Sequence, residues 1–209
     1  MSPGSEYGNP DASRDLQLAA LAATQHGVVS WFQLREIGFT KHAIHARVAA
    51  GRLHRIHRGV YAVGHTKISV RAGWLAATLA CGSEAMLSYR AAAALWELRA
   101  APSGPTDVTA VLAHRLPGIR CHVARHLHPD DRTKIDGIPV TTVSRLLLDL
   151  AETYNPRQLR STLEAAQRAD LLNLGKLHAL MARSPGRHGL KPLSDALNDL
   201  EDEAPWTQS

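Results

Sequence analysis

The sequence has only two cysteines, Cys81 and Cys121, and no CxxC pair. This scarcity excludes a disulfide framework and argues against a zinc finger. The chain also lacks any run of about 18 uninterrupted apolar residues, and its first residues lack the basic and then apolar order of a signal peptide. These absences predict a chain that stays in the cytoplasm, without a membrane contact.

Motifs of the common enzyme classes are missing as well. The sequence contains no GxSxG, P-loop, GxGxxG or HExxH motif. We therefore expect no enzymatic activity and no cofactor. Hydrophobic residues make up 44% and charged residues 21%, which is ordinary for a globular protein that buries a core.

The positive charge of the chain is concentrated near its N-terminus. Residues 13–65 hold seven Lys and Arg against two acidic residues, whereas residues 66–209 hold seventeen against fifteen. A local excess of this kind attracts a polyanion, because Lys and Arg release condensed counterions from phosphates. Double-stranded DNA is therefore the expected partner of this segment.

Three glycines punctuate three short helices in the N-terminal segment, which follows a disordered tail predicted over residues 1–12. Each helix has a polar N-cap residue and a glycine at its end: Ser13 and Gly27, Ser30 and Gly38, Thr40 and Gly51. On the first helix, one apolar face is expected to hold Leu16, Ala19, Leu21 and Ala23.

After Gly51 the pattern changes, and RLHRIHRGVYAVG predicts a β-hairpin that turns at His57-Arg58-Gly59. Three helices followed by a basic hairpin is the order of a winged helix-turn-helix, here over residues 13–65. In that motif the third helix enters the major groove and the hairpin lies along the backbone or minor groove. The residues expected to contact DNA are Thr40, Lys41, His42, His45, Arg47, Arg52, Arg55, His57 and Arg58.

Residues 66–203 are expected to form a second, α+β domain with a helical C-terminal half, before a tail at 204–209. Predicted helices cover residues 70–80 and 89–98, and four more follow Thr142. Short predicted strands cover residues 107–112, 119–123 and 138–141. The predicted fold class is thus mainly α, with a winged helix-turn-helix followed by a mixed α/β domain.

The segment VVSWFQLREIGFTKHAIHARVAAGRLHRIHRGVYAVGH resembles the AbiEi-like antitoxin and transcriptional regulator family of bacterial type IV toxin–antitoxin and phage-defence systems. The hairpin GRLHRIHRGVYAVG carries the most specific part of the resemblance, and LSYRAAAALWEL and DGIPVTTVSRLLLDLA resemble the family's second domain. The resemblance implies a DNA-binding autorepressor with a cognate toxin protein as partner. Longer relatives look as though they continue into a very-short-patch-repair-like endonuclease domain, which we expect this chain to lack.

Several polar clusters allow both a structural and a functional interpretation. Ser88, Tyr89 and Arg90 are a candidate partner or ligand site, although Ser88 could simply cap the next helix. The pairs His42/His45 and His54/His57 are too few ligands for a metal, and no metal site is expected. The cluster of His122, His126 and His128 with Asp130 and Asp131 could bind a metal or hold an acid–base pair, but a surface turn is the simpler interpretation.

Three functional hypotheses follow. The first is a regulator of antitoxin type that acts on an operator near its own promoter, as a homodimer if the operator is an inverted repeat. The alternative is the targeting half of a nuclease whose catalytic domain is absent from this chain. The third is a toxin-binding module with little affinity for DNA.

Overall fold

The computed structural model describes residues 10–124 and 127–202. Within these ranges the chain forms nine α-helices, one 3-10 turn and two β-sheets, so the predicted mixture of α and β structure is confirmed. No helix of the described residues is both long and apolar enough to span a bilayer. Residues 10–12 are helical rather than disordered; residues 1–9 and 204–209 of the predicted tails lie outside the described ranges.

The N-terminal segment folds into three helices and three strands. In chain order these are α1 (Pro10–Thr24), β1 (Val28–Ser30), α2 (Trp31–Glu36), α3 (Lys41–Ala49), β2 (Leu53–His57) and β3 (Val60–Val63). The Ser30 hydroxyl accepts a hydrogen bond from the Gln33 backbone N–H at 3.2 Å, and the Thr40 hydroxyl accepts one from the Ala43 N–H at 3.1 Å. Both predicted N-caps are thus confirmed, whereas strand β1 was not predicted.

The first helix differs from its prediction in both its start and its buried face. It begins at Pro10 instead of after Ser13, and it buries Leu18 and Ala22, while Leu16 is 72% exposed. Leu18 and Ala22 are four residues apart and share one face, with Leu21 packed beside them. Of the predicted stripe, Leu21 packs against this core, whereas Leu16 does not because it lies away from the face that Leu18 and Ala22 share.

Strands β1, β3 and β2 form an antiparallel sheet in that spatial order, and β1 and β3 carry buried residues on both faces. Val29 and Tyr61 belong to the core formed with the N-terminal helices. Val28 and Val60, one residue earlier in each strand, belong to a second core that contains helix α4 (Val70–Ala80). The predicted domain boundary at residue 65 stays a prediction, and the segments on its two sides share this second core.

The second sheet has the spatial order β6-β5-β4-β8-β7. Its strands are β4 (Met86–Leu87), β5 (Thr106–Ala110), β6 (Ile119–Val123), β7 (Arg132–Ile135) and β8 (Ile138–Thr141). The pairs β5–β6 and β4–β8 are parallel, and the other two pairs are antiparallel. Strands β6 and β8 have the predicted bounds. Strand β7 was missed because its sequence RTKI is polar at three of four positions.

Five further helices complete the described chain. They are α5 (Tyr89–Leu95), α6 (Val143–Ala151), α7 (Pro156–Arg168), α8 (Leu174–Ala182) and α9 (Leu190–Asp202). Helix α6 lies at the centre of this half, because its leucines at 146, 147, 148 and 150 are fully buried. The predicted helical C-terminal half is therefore confirmed.

The two cysteines lie in one small core although they are 40 positions apart in the sequence. Burial raises the pKa of Cys81 to about 12, and the neighbouring Cys121 adds to that rise. A thiol with so high a pKa is protonated near neutral pH and is a poor nucleophile. Cys81 is therefore part of the packing beside β5.

Alternating acidic and basic side chains join α6 to the connection between α8 and α9. The Arg145 guanidinium donates to Asp149 at 2.8 Å and to Asp131 at 2.9 Å. Arg183 pairs with the second oxygen of Asp131, and Arg187 donates to Asp149 at 3.1 Å. Burial still raises the pKa of Asp149 above its usual range, because its carboxyl group has no exposed surface.

Gly189, just before α9, lies directly against the backbone of α6. A β-carbon at this position would lie 2.5 Å from the Leu148 carbonyl oxygen and 3.3 Å from the Ala151 β-carbon. We expect Gly189→Ala to push α9 away from α6 and to lower the free energy of unfolding by about 1–3 kcal/mol, measured by urea denaturation. Gly175→Ala is the matched control, since its nearest neighbour would be 3.6 Å away; equal midpoints for the two variants would contradict this expectation.

Candidate nucleic-acid interface

Helix α3 turns one face to the N-terminal core and presents the other to solvent. Ile44 is fully buried, whereas Lys41, His42 and His45 are exposed. Thr40 lies at the N-cap, so its hydroxyl oxygen is engaged with the Ala43 N–H while the first turn of the helix opens to solvent. The exposed face combines one cation with two imidazoles that can donate or accept hydrogen bonds.

Arg47 lies apart from the other residues expected to contact DNA. Its guanidinium donates to Asp15 of α1 at 2.8 Å and stacks 4.2 Å from the centre of the Phe39 ring, and the side chain is only 14% exposed. The sequence contained the signal for this placement, because Arg47 follows the buried Ile44 by three residues and shares its helix face. Arg47 holds α3 against α1.

The hairpin continues the exposed surface of α3. Arg55 shares a strand face with Leu53, which is buried in the N-terminal core beside α3. Its partner across the strands is Tyr61 of the same core. Arg55 therefore lies on the side of the sheet that α3 covers, and it is exposed there together with Arg52.

The tip of the hairpin is fixed to the start of α2. Arg58 and Gly59 form the turn, and Gly59 has a φ of +75°, a left-handed conformation that glycine adopts without strain. The Gly59 carbonyl accepts a hydrogen bond from the Trp31 N–H at 2.7 Å. Phe32, next along α2, is 74% exposed and meets the Trp31 ring edge-on, a neighbour of the tip that the sequence interpretation missed.

The cations of this surface are not neutralised by other residues within the described ranges. Lys41, Arg52, Arg55 and Arg58 are exposed, and among the residues that the structure describes none of the four forms an ion pair. By contrast, Arg47 pairs with Asp15, and Arg145, Arg183 and Arg187 of the C-terminal half pair with carboxylates. The helix and the hairpin thus share a face of uncompensated positive charge, which favours a polyanion.

The other histidines of the segment contribute less than the sequence suggested. Burial lowers the pKa of His57, so this imidazole is neutral near pH 7 and adds no charge to the surface. Two histidines three positions apart on a helix can share a metal ion. His54 and His57 have this spacing but lie on strand β2, so the helical argument does not apply to them. No group of three potential metal ligands is assembled among the described residues.

The candidate ligand residues Ser88, Tyr89 and Arg90 lie in the other half of the chain. Ser88 occupies the N-cap position of α5, but its buried hydroxyl makes no capping hydrogen bond, contrary to the capping interpretation. Tyr89 donates to Glu152 at 3.1 Å, and the Nε of Arg90 donates to Asp107 at 3.2 Å. The three side chains therefore share no common hydrogen-bond partner among the described residues.

The histidine cluster of residues 122–128 is only partly assembled. His122 bonds to the buried Asp107 at 2.9 Å and stacks on the Tyr89 ring with centroids 3.8 Å apart. His128 accepts a hydrogen bond from the Asp130 N–H at 3.2 Å, and Asp131 belongs to the ion pairs of α6. His126 lies outside the described residues.

Comparison with known proteins supports the resemblance for the N-terminal segment. Residues 16–64 match the model of a family described as "Transcriptional regulator, AbiEi antitoxin". No curated protein matches the chain. A structure titled "Crystal structure of RV2827C protein from Mycobacterium tuberculosis" is similar, with a TM-score of 0.51 and 19% identity over 90% of this chain and 76% of that one. At this identity the similarity concerns the fold alone.

The burial of His57 predicts a pH dependence of stability. Its pKa in the folded chain is below the ordinary value of 6.5, so the unfolded chain binds this proton more readily. The contribution of the neutral imidazole is therefore present above pH 6.5 and is lost as the pH falls below it. We expect His57→Asn to lose less stability than the wild type on acidification, measured by urea denaturation at several pH values.

The matched reference is His45→Asn, which removes an exposed imidazole from α3. If His57→Asn and His45→Asn reproduced the same pH dependence, burial of His57 would not contribute to it.

Proposed function

We propose that this protein is a DNA-binding transcriptional regulator of antitoxin type whose N-terminal segment is a winged helix-turn-helix. The observation that carries the proposal is the surface of exposed cations on α3 and the β2–β3 hairpin that form no ion pair within the described part of the chain. The order of three helices and a hairpin supports it. So does the family match, which begins within α1 and ends just after β3.

In this proposal α3 lies in the major groove with its exposed face toward the bases. His42 and His45 present imidazole nitrogens that can bond to base edges, and Lys41 can bond to guanine or to phosphate. Thr40 and the open first turn of α3 offer further hydrogen-bond donors to the phosphate backbone of the DNA. Arg47 acts indirectly in this arrangement, because its contacts with Asp15 and Phe39 orient the helix.

The hairpin contributes mainly to affinity. Arg55 and Arg58 present guanidinium groups beside α3, and a guanidinium suits both phosphate and a narrow minor groove. Arg52 extends the charge at the start of β2. His57, neutral and half-buried, would bond as a dipole and not as a cation.

We further propose that the protein represses its own promoter in the cytoplasm and that the C-terminal half contacts a cognate toxin. Autorepression fits a regulator that must respond to the amount of a partner, and an operator built as an inverted repeat would bind two copies of the chain. The family match of residues 16–64 supports the general class of antitoxin and transcriptional regulator. The operator and the toxin are the parts to be found by experiment.

The salt dependence of DNA binding tests the surface directly. We expect the full chain to bind its own upstream region in gel shifts, with an affinity that falls steeply as salt rises. Arg55→Gln and Arg58→Gln should each weaken binding to all sequences and reduce the slope of log affinity against log salt by about one. Arg168→Gln on α7 is the matched control, since its side chain is 70% exposed and it removes the same charge elsewhere.

Substitutions on α3 should act differently from those on the hairpin. His45→Ala is expected to lower the preference for the operator over unrelated DNA by about fivefold or more, because one base contact contributes about 1–3 kcal/mol of discrimination. The measurement compares both duplexes at one salt concentration. Binding without sequence preference or salt dependence would refute the proposal, and metal-dependent cleavage of DNA by this chain would favour the nuclease hypothesis.

A further inference from the structure

A cavity of about 930 Å³ lies in the C-terminal half, away from α3 and the hairpin. Its walls come from the paired strands β5 and β6, from α6 and from the connection between α8 and α9. Six side chains matter for its chemistry: Tyr89, Thr109, His122, Arg145, Arg183 and Arg187. The volume is within the range of small-molecule sites.

Arginines dominate the charged part of the wall. Four of them line the cavity against only two carboxylates, those of Asp131 and Glu152. Asp131 binds both Arg145 and Arg183, and Glu152 accepts from Arg187 at 2.8 Å. Glu84 and Asp149, which do not line the cavity, complete the pairing of the four arginines. The carboxylates thus fix the guanidinium groups in place, and an anion would be held by the guanidinium N–H groups that these pairs leave unused.

The guanidinium groups keep donors for a ligand. Each guanidinium carries five N–H groups. The described contacts use Nε and Nη1 of Arg145, Nη2 of Arg183, and Nε and Nη2 of Arg187. An acid group entering the cavity could therefore accept hydrogen bonds without breaking the existing pairs.

Thr109 supplies an independent indication of a ligand. The residue is 1% exposed and lines the cavity, and no described group lies within hydrogen-bonding distance of its hydroxyl. A buried hydroxyl without a partner is costly and uncommon in folded proteins. Thr109 lies beside His122 across the parallel strands, so the hydroxyl is close to the stacked rings of His122 and Tyr89.

The remaining wall is apolar. Val111 and Val123 line the cavity while staying 38% and 54% exposed, and the buried Leu127 lines it as well. Exposed valines beside fixed arginines fit a molecule with an apolar body and an acidic group. We propose that this cavity binds a small organic anion, a carboxylate or phosphate ester, held by Arg183 and Arg187 and by the Thr109 hydroxyl.

Calorimetric titration of the full chain tests the site with three probes. Benzoate and phenyl phosphate carry an acid group on an apolar ring, and benzamide is the neutral counterpart of benzoate. We expect at least one of the two anions to bind and benzamide to bind at least about tenfold more weakly, because a hydrogen bond to a charged group is stronger than one to a neutral group.

Two variants separate ligand binding from a purely structural role of the ion pairs. Arg183→Gln should weaken binding of the anion by about tenfold or more, whereas Arg168→Gln should leave it unchanged. Thr109→Val should weaken binding too, yet its unliganded thermal midpoint should equal or exceed that of the wild type, because the variant removes an unsatisfied hydroxyl. Thr109→Val keeps the test decisive if Arg183→Gln fails to fold.

Three results would overturn the proposal. They are the absence of binding by both anions up to their solubility limits, binding of benzamide as tight as that of benzoate, and wild-type affinity of Thr109→Val for the anion. Binding of one anion alone supports the proposal and identifies which acid group the arginines accept.

Discussion

Neighbouring residues of β1 and of β3 point into different hydrophobic cores. Val29 and Tyr61 complete the core under the N-terminal helices, while Val28 and Val60 complete the core that contains α4. Successive side chains of a β-strand point to opposite faces of the sheet, so a shift of one residue would exchange every side chain between the two faces. The three-stranded sheet therefore joins the candidate DNA surface to the rest of the chain.

Polar contacts reinforce the same junction. His26, just after α1, bonds to the Asp136 carbonyl at 2.8 Å, and Arg71 of α4 pairs with the Asp136 side chain. Removing the N-terminal helices and sheet from α4 would also expose Val28 and Val60, each at a cost of about 1.5 kcal/mol or more. The cationic face and the arginine-lined cavity therefore sit on one continuous packed body and not on two loosely tethered modules.

Local signals in the sequence predicted much of this architecture. The caps at Ser30 and Thr40, the turn at Gly59 and the bounds of α4, β6 and β8 follow from side chains acting on their own backbone. The exposed cations could be predicted too, since the positions of the charged residues and the helical period follow directly from the sequence. These features need no information about distant parts of the chain.

The features that could not be predicted depend on contacts between distant residues. Arg47 was expected on the DNA side; its helix face could be inferred from Ile44, but its partner Asp15, 32 positions earlier, could not. Strand β7 forms because β8 offers a partner edge, although its own residues have little apolar pattern. The cavity brings together strands, helices and a loop separated by up to 98 positions, from Tyr89 to Arg187. No window of sequence contains such a site.

In the proposed complex with DNA, the short length of α3 limits how much sequence one chain can read. Nine residues at about 1.5 Å per residue extend about 13 Å, which is about four base pairs of B-DNA at roughly 3.4 Å each. A word of four base pairs recurs by chance about once in 250 positions, while a genome offers on the order of a million competing sites or more. In units of information, the base pairs that one copy of α3 can contact supply less than half of what is needed to specify a single site in a genome. The remaining discrimination must therefore come from a second copy or from the shape of the DNA.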